Sequence, residues 1–384
     1  MVRSPRALRR LLWSPNELGL ARAVVAGDVE LEGDLRRLLR VLRDAAGVSS
    51  YGPRSRPKPK ALLQGVVAAA RTGALGLPPP PPAEEARVGG WRHSKRRDSV
   101  AVRHHYEVGN DFYRLVLGPA MTYSCARFEA PGTTLEEAQR LKHDLICRKL
   151  GLSERRGLRL LDVGCGWGSL ALHAARHYGA QAVGITLSPS QLEWANGRAE
   201  QEGLAGKVEF RLQDYRDLTG ERFDVISSVG MFEHVGSEHM GLYFGTLFSL
   251  LGPGGRLLNH AISKPGSSKM KGARFIARYI FPDGELVDVG DVVKGMERAG
   301  FEVRDVESLR EHYVDTLRAW VANLEAAWHQ AVALVGEARA RAWRLYMSAS
   351  ANAFEEHKIS VHQVLGVRTS PGGESGMPRT RRKW

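Results

Sequence analysis

The stretch Leu158-Arg-Leu-Leu-Asp-Val-Gly-Cys-Gly-Trp-Gly168 constrains this chain more than any other. A short apolar run closes on an acid and then on glycines at every second position, the pattern of a buried strand that turns sharply into a helix. Glycine is required where the backbone enters conformations closed to other residues and approaches a ligand closely. The turn is therefore a candidate cofactor seat. The dinucleotide fingerprint is G-x-G-x-x-G. Counted from Gly164 and Gly166 its third position is Ser169, and the glycine falls one residue early, at Gly168. That spacing points away from a nicotinamide dinucleotide.

With 384 residues, 43% of them hydrophobic, the chain can bury one large core and a smaller accessory unit. A formal charge of +13 calls for a polyanionic partner, either nucleic acid or an anionic membrane surface. Cys125, Cys147 and Cys165 are too scattered for a disulfide framework or a zinc site, which suits a reducing cytoplasm. No apolar run approaches the roughly 20 residues of a membrane span. The basic N-terminus lacks the apolar segment of a signal peptide. Any lipid contact is expected to be peripheral, at the inner face of the membrane.

Residues 1–70 read as an N-terminal helical unit, with Leu8, Leu11, Leu12, Leu35, Leu38, Leu39 and Leu42 at helical spacing and a further helix candidate at Ala61–Ala70. Residues 71–91, with the run Pro78–Pro82, read as a linker or mobile loop. The cluster Arg92, Lys95, Arg96, Arg97 and Arg103 is either a solvated face or a phosphate contact. From Leu158 to about Ser308 strands and helices alternate. Strands are expected near 158–163, 181–186, 207–213, 223–229, 255–262 and 301–308, and helices near 168–178, 189–202, 238–251 and 291–299. This predicts an α/β fold with a doubly wound, Rossmann-like parallel sheet spanning 92–369 together with its flanking segments. Ligands in such sheets collect outside the carboxyl ends of the strands. Lys264–Lys271 and Arg274–Pro282 form a basic, aromatic insertion. His312–Glu356 is helical, its aromatics mostly core, and 370–384 is a disordered basic tail.

The strand, acid and G-x-G-x-G turn resemble motif I of class I S-adenosylmethionine (SAM) methyltransferases. Further motifs follow in one order: Tyr106-Glu-Val-Gly-Asn-Asp-Phe-Tyr113, Tyr123-Ser-Cys125, Thr186-Leu-Ser-Pro-Ser-Gln191, Asp214-Tyr-Arg216, Gly230-Met-Phe-Glu-His-Val-Gly236, Tyr279-Ile-Phe-Pro282 and His312-Tyr-Val-Asp-Thr-Leu317. Together, over residues 92 to 365, they resemble the cyclopropane fatty acid synthase family, which includes the mycolic acid cyclopropane synthases and related fatty-acid C-methyltransferases. Residues 10–45 echo the N-terminal domain of its phospholipid-acting bacterial members.

The resemblance implies a class I SAM methyltransferase in which Asp162, Gly164, Cys165, Gly166 and Gly168 seat the cofactor. The second strand ends Gly184-Ile-Thr-Leu-Ser188, without the acid that many methyltransferases place on the ribose. Thr186, Leu187, Ser188 and Gln191 are then expected to hold the sugar with neutral groups. Ser188 also suits an N-cap before Pro189. Asp214 and Tyr215 are expected at the adenine, and Tyr123 and Ser124 over the methionine end. An alkene is a poor nucleophile and must meet the sulfonium methyl in line, in a dry pocket. In this family bicarbonate is the proposed base for the proton lost on ring closure. The matching cage is Cys125, Glu233, His260 and Tyr313, with the backbone of Ile262. Cys125 as a small hydrophobe, His260 as a core histidine and Glu233 as a helix cap are the structural alternatives. Phe275, Tyr279 and Phe281 are candidates to stabilise a cation through their faces.

The implied substrate is an unsaturated acyl chain of a membrane phospholipid, with a homodimer among the assemblies this family forms. The product is either a cyclopropane or a methylene or methyl-branched chain. A nucleic-acid methyltransferase is disfavoured, because Gly230-Met-Phe-Glu-His stands where base-modifying enzymes carry an Asn/Asp-Pro-Pro-Tyr/Phe motif. No metal site is expected, since Glu233, His234, Glu238 and His239 do not make His-Glu-x-x-His.

Overall fold

Why the chain divides into helical and sheet regions follows from its periodicity, and the computed structural model describes residues 1–45, 67, 70, 71, 73–86, 91, 94–106, 108–266, 268 and 274–381. Most of the candidate helix Ala61–Ala70, residues 51–60, Arg92 and Lys269–Lys271 lie outside the described residues. The N-terminal region forms α1 (Arg6–Trp13), α2 (Glu17–Val25) and α3 (Leu35–Ala45). Next come α4 (Lys95–Tyr106), α5 (Asn110–Leu117) and α6 (Leu135–Lys149). The alternating region is β1 (Arg159–Val163), α7 (Ser169–Tyr178), β2 (Gln181–Thr186), α8 (Pro189–Gln201), β3 (Val208–Leu212), β4 (Phe223–Val229), α9 (Met240–Leu250) and β5 (Leu251–Ser263). The chain closes with α10 (Arg274–Tyr279), α11 (Val289–Arg298), β6 (Glu302–Ser308), α12 (Arg310–Ala326), α13 (Trp328–Val335), α14 (Glu337–Glu355) and β7 (Ser360–Val367).

Local chemistry sets these boundaries. Asn16 caps α2, its Oδ1 accepting from the Leu18 and Gly19 amides at 3.0 and 3.3 Å. Thr134 caps α6 through the Glu137 amide at 3.2 Å. Ser188 caps α8, with Pro189 in the first turn where its missing N–H costs nothing.

The sheet has seven strands in the order β3-β2-β1-β4-β5-β7-β6. Strands β1 to β5 pair in parallel, and the order reverses between β1 and β4. A crevice opens at their carboxyl ends at that switch point. The all-parallel expectation needs correction at one edge: β7 enters antiparallel between β5 and β6. Alternation along β1 sends Leu160 into the core beneath α7 and α8, and Leu161 and Val163 into the core beneath α9.

A third core covers the carboxyl ends and is shared by α2, α5, α10, α12 and α14. The N-terminal helices are part of it rather than a detached unit. Asn352 Nδ2 donates to the Arg36 carbonyl at 2.9 Å, and Arg36 pairs with Glu355 at 2.6 Å. Residues 73–86 also differ from a free linker. Polyproline segments leave their carbonyls without internal partners, and here side chains of α1 take them. Trp13 Nε1 donates to Gly76 at 2.9 Å, Arg10 to Pro80 at 2.9 Å and Arg9 to Gly73 at 2.9 Å. Glu85 then fastens the segment to both sides, bridging Arg22 at 2.7 Å and Arg278 at 3.3 Å and accepting from the Tyr279 hydroxyl at 3.3 Å.

The tail needs correction too, as far as residue 381. Arg256 donates to the Gly376 carbonyl at 3.0 Å, Met377 packs on the core beneath α7, and Arg381 pairs with buried Asp305 at 2.5 Å.

Glu85 is buried and its removal strands Arg22, so Glu85→Ala is expected to destabilise the protein by about 1–3 kcal/mol. Chemical denaturation checks this; an unchanged midpoint would mean that the proline segment is not clamped.

Candidate active site

The glycine turn leaves β1 with Gly164, Gly166 and Gly168 all at positive φ. The amides of Gly164 and Cys165 donate to the Ile185 carbonyl at 3.0 and 2.9 Å, which pins the turn to β2. A Cβ on Gly164 would lie 2.9 Å from Met231, and one on Gly168 would lie 2.5 Å from the Phe210 ring. One on Gly166 would meet open space. Gly164 and Gly168 are thus demanded by packing, whereas Gly166 faces the cleft. Asp162 is buried and accepts from Ser227 Oγ at 2.7 Å, and burial pushes its carboxyl up to about 6.

The cleft has two chambers. The outer one is lined by Gly166, Thr186, Leu187, Gln191, Asp214 and Tyr215 among others. The inner one is lined by Tyr123, Ser124, Lys142, Asp162, Cys165 and Trp167 among others. Tyr106, Gly164, Gly166, Gln191 and Gly230 border both. A mainly apolar chamber joined to a polar one across an open glycine face suits the two ends of an adenosyl amino acid.

The residues expected at the sugar separate into two kinds. Thr186 Oγ1 donates to Gln191 Oε1 at 2.7 Å beside the cleft. Ser188 is fully buried and its hydroxyl is engaged with the Gln191 amide at 3.4 Å and Ser190 at 3.0 Å, so it caps α8. Asp214 is gripped by Arg216 at 2.6 Å; burial works against its charge, but the Arg216 hydrogen bonds hold it below the usual carboxylate range. Arg216 also reaches Asp98 of α4 at 3.0 Å. In the basic cluster, Lys95 pairs with Asp217 and Arg97 with Asp283, so both are engaged within the protein.

The segments before β1 close over this cleft. Asn110 accepts from Trp167 Nε1 at 2.8 Å and donates to the Ser190 carbonyl at 3.1 Å, tying the start of α5 to the glycine turn and to α8. Gln139 donates to the carbonyls of Thr122 and Ser124 at 3.3 and 2.9 Å. The Tyr123 hydroxyl donates to that of Tyr346 at 3.0 Å.

Glu233 lies on a short 3-10 turn after β4. Its Oε1 accepts from the Ile262 amide at 2.7 Å, while Oε2 is buried without a partner among the described residues. Burial pushes the carboxyl up to about 7. The phenol of Tyr313 is raised by burial and lies in the electrostatic field of Tyr346, Cys125, Glu233 and Tyr106. Cys125 is fully buried, its thiol raised by burial and directed at the Ala126 and Leu309 carbonyls at 3.2 and 3.5 Å. His260 shares a strand face with Ile262. Its Nδ1 meets Gln363 at 3.3 Å, its Nε2 has no partner among the described residues, and burial holds it neutral, down to about 3.

Aromatic side chains wall this space, and here the sequence reading needs revision. The Tyr123 ring packs on Tyr113, Trp320 and Trp343 at 5.6, 5.2 and 5.8 Å. Phe281 joins through Tyr346 at 5.9 Å. Phe275 and Tyr279 instead pack on each other at 5.3 Å, and the Tyr279 hydroxyl is committed to Glu85. Sequence reasoning gave no site role of their own to Tyr106, Lys142, Arg216 and the C-terminal Trp343 and Tyr346. Their signal is a contact between distant segments, and periodicity does not carry it.

Residues 93–364 match the family model described as mycolic acid cyclopropane synthetase. The chain belongs to this family. It is similar to a "Probable fatty acid methyltransferase" of Mycobacterium tuberculosis, 42% identical over 98% of this chain and 88% of the relative. The cyclopropane-fatty-acyl-phospholipid synthase of Escherichia coli is 39% identical over 76% of this chain and 74% of the relative. Among solved structures, the mycolic acid cyclopropane synthase CmaA1 in complex with SAH and CTAB is 35% identical, with a TM-score of 0.66 over 70% of this chain and 97% of that one. This family member is accordingly a SAM-dependent methyltransferase with the class I fold. A side chain at the open glycine face tests the expected cofactor seat: Gly166→Val is expected to abolish S-adenosylhomocysteine (SAH) binding by calorimetry while the far-ultraviolet circular dichroism stays native. Unchanged affinity would place the cofactor elsewhere.

Proposed function

We propose that this enzyme adds a one-carbon unit from SAM to the cis double bond of a phospholipid acyl chain and closes it to a cyclopropane. The observation that carries the reading is Glu233, a buried carboxyl with one oxygen fastened to Ile262 and the other unpartnered among the described residues, its field reaching the phenols of Tyr106, Tyr313 and Tyr346. When bound, SAM supplies an electrophilic methyl and bicarbonate a small base that, unlike an amine or thiolate side chain, resists methylation.

The residues present fit both groups. Gly166, Thr186, Leu187, Gln191 and Tyr215 border the chamber that takes the nucleoside, and Tyr123, Ser124, Asp162 and Cys165 the amino-acid end. Glu233 Oε2 and His260 Nε2 are the buried polar atoms that suit a small oxyanion, with Tyr313, Cys125 and the Ile262 backbone around them. Tyr113, Tyr123, Trp320 and Trp343 keep water out and present π faces to positive charge. An alkene that gains a methyl becomes a cation, and the ring closes once a proton leaves the new methyl. In this reading Glu233 shares that proton through its unpartnered Oε2.

A second reading has its own support. The two relatives that match 98% and 99% of this chain both bear the name "Probable fatty acid methyltransferase". The same cation, after a hydride shift and loss of a proton from the new methyl, gives a methylene-branched chain, which a separate two-electron reduction by a hydride donor converts to a methyl-branched one. Lipids from a host expressing the enzyme separate the two by mass and proton NMR: cyclopropyl protons without a branched product support cyclopropanation, and the converse supports branching.

Access to such a substrate calls for contact with an anionic membrane surface from its inner face. Among the described residues no helix is long and apolar enough to cross a membrane. Leu12, Trp13, Leu75 and Leu77 are exposed together, joined through the Trp13–Gly76 hydrogen bond, and Arg6 and Arg71 are exposed nearby in sequence. That mixture suits peripheral adsorption.

Glu233 acts here in its ionised form. Its raised pKa leaves it protonated below about 7 and charged above, so turnover is expected to rise with pH through that value. Glu233→Gln is expected to lower turnover at least about 100-fold, to remove this limb and to leave SAH affinity within about twofold. Normal turnover in the variant would remove Glu233 from the mechanism.

A further inference from the structure

Helix α6 carries a lysine on its buried side. Lys142 is 1% exposed, and its ammonium donates to Ser124 Oγ at 3.1 Å. It lines the inner chamber together with Ser124, Asp162, Gly164 and Gly166, whereas Glu233, His260 and Tyr313 do not border that chamber. The ammonium therefore opens onto the glycine-turn end of the cleft, with Cys125 and His260 of the proposed cage also within its field.

A buried ammonium is costly unless an anion compensates it. The ionisable groups around Lys142 supply little compensation. Asp162 of β1 is the acid in its field, and burial pushes that acid up to about 6. Cys125 of the lid segment and Cys147 of α6 are thiols raised by burial. His143 of α6 and His260 of β5 are held neutral by burial. Lys142 itself is driven down to about 7 by the same desolvation. The chamber thus presents one basic group and one acidic group, each in the other's field but with no ion pair between them among the described residues, in a space that begins at the glycine turn. Such a wall is complementary to a zwitterion.

We propose that Lys142 is a cofactor-binding residue that supplies the counter-charge to the α-carboxylate of SAM, with Ser124 held between them. The assignment rests on the glycine turn being the cofactor seat. Gln139, one turn earlier on the same helix, holds the Thr122 and Ser124 carbonyls. One face of α6 thereby closes the lid and charges the pocket beneath it.

Calorimetry on the full chain tests this with two ligands, SAH and 5′-methylthioadenosine. Both carry the adenosyl thioether, but the second lacks the amino-acid end. Lys142→Met is expected to weaken SAH about 30-fold, as for loss of a hydrogen-bonded charge partner, and to leave 5′-methylthioadenosine within about twofold. Lys142→Gln keeps a donor for Ser124 without the charge and is expected to behave alike, while Lys142→Arg recovers most of the SAH affinity. Equal weakening of both ligands, unchanged SAH affinity, or loss of the fold in both neutral variants overturns the proposal and leaves Lys142 a structural residue. Wild-type protein that binds neither ligand would instead overturn the cofactor seat itself.

Discussion

The aromatic packing around Tyr123 is the interaction on which the rest of this molecule depends. Its ring touches residues from α5, α12 and α14, and its hydroxyl reaches Tyr346. Trp167, from the glycine turn, extends the same wall through Tyr113 at 4.6 Å and is anchored by Asn110 at 2.8 Å. Five separate stretches of chain thereby close one space at the carboxyl ends of the parallel strands. Without that closure the sheet would still form, but the crevice would be wet.

Dryness has an electrostatic consequence. Ionisable groups in a low-dielectric space move toward their neutral forms, and the site shows this in both directions. Asp162 and Glu233 are raised, and Lys142 and His260 are lowered, each chiefly by burial. Groups held near their titration points are responsive to a charged ligand, because an opposite charge arriving nearby restores the ionised form. Structural pairs behave differently: Asp214 with Arg216, and Glu85 with Arg22, stay charged because each partner lies within hydrogen-bond reach.

How much was legible in the sequence depends on the range of the interaction responsible. The β1 turn is local, since an apolar run, an acid and spaced glycines determine it, and strands β1 to β5 follow from the same kind of signal. Strand β7 is not local. It follows a helical stretch, and its place between β5 and β6 comes from pairing across more than fifty residues of chain. Residues 370–381 look unstructured by composition, yet Asp305, buried beside Lys149, needs charge partners and takes Arg381. Tyr279 matched an aromatic motif, but the buried carboxylate of Glu85 draws its hydroxyl away from the site. Lys142 looks like one more charge on a polar helix until α6 is seen to pack inward. Motif order carried the family, while contacts between distant segments carried the wall and the buried charges.

The central claim is that a methyl carbon from SAM ends on an acyl chain inside this closed space. Incubating the purified protein with methyl-13C-labelled SAM and vesicles of an unsaturated anionic phospholipid, then locating the label by NMR, tests it most directly. The account predicts label in one added carbon bonded at the former double bond, as the ring methylene of a cyclopropane, with none in the head group and none when the acyl chains are saturated. Label in the head group, or no transfer to unsaturated chains by protein that binds SAH, would contradict it.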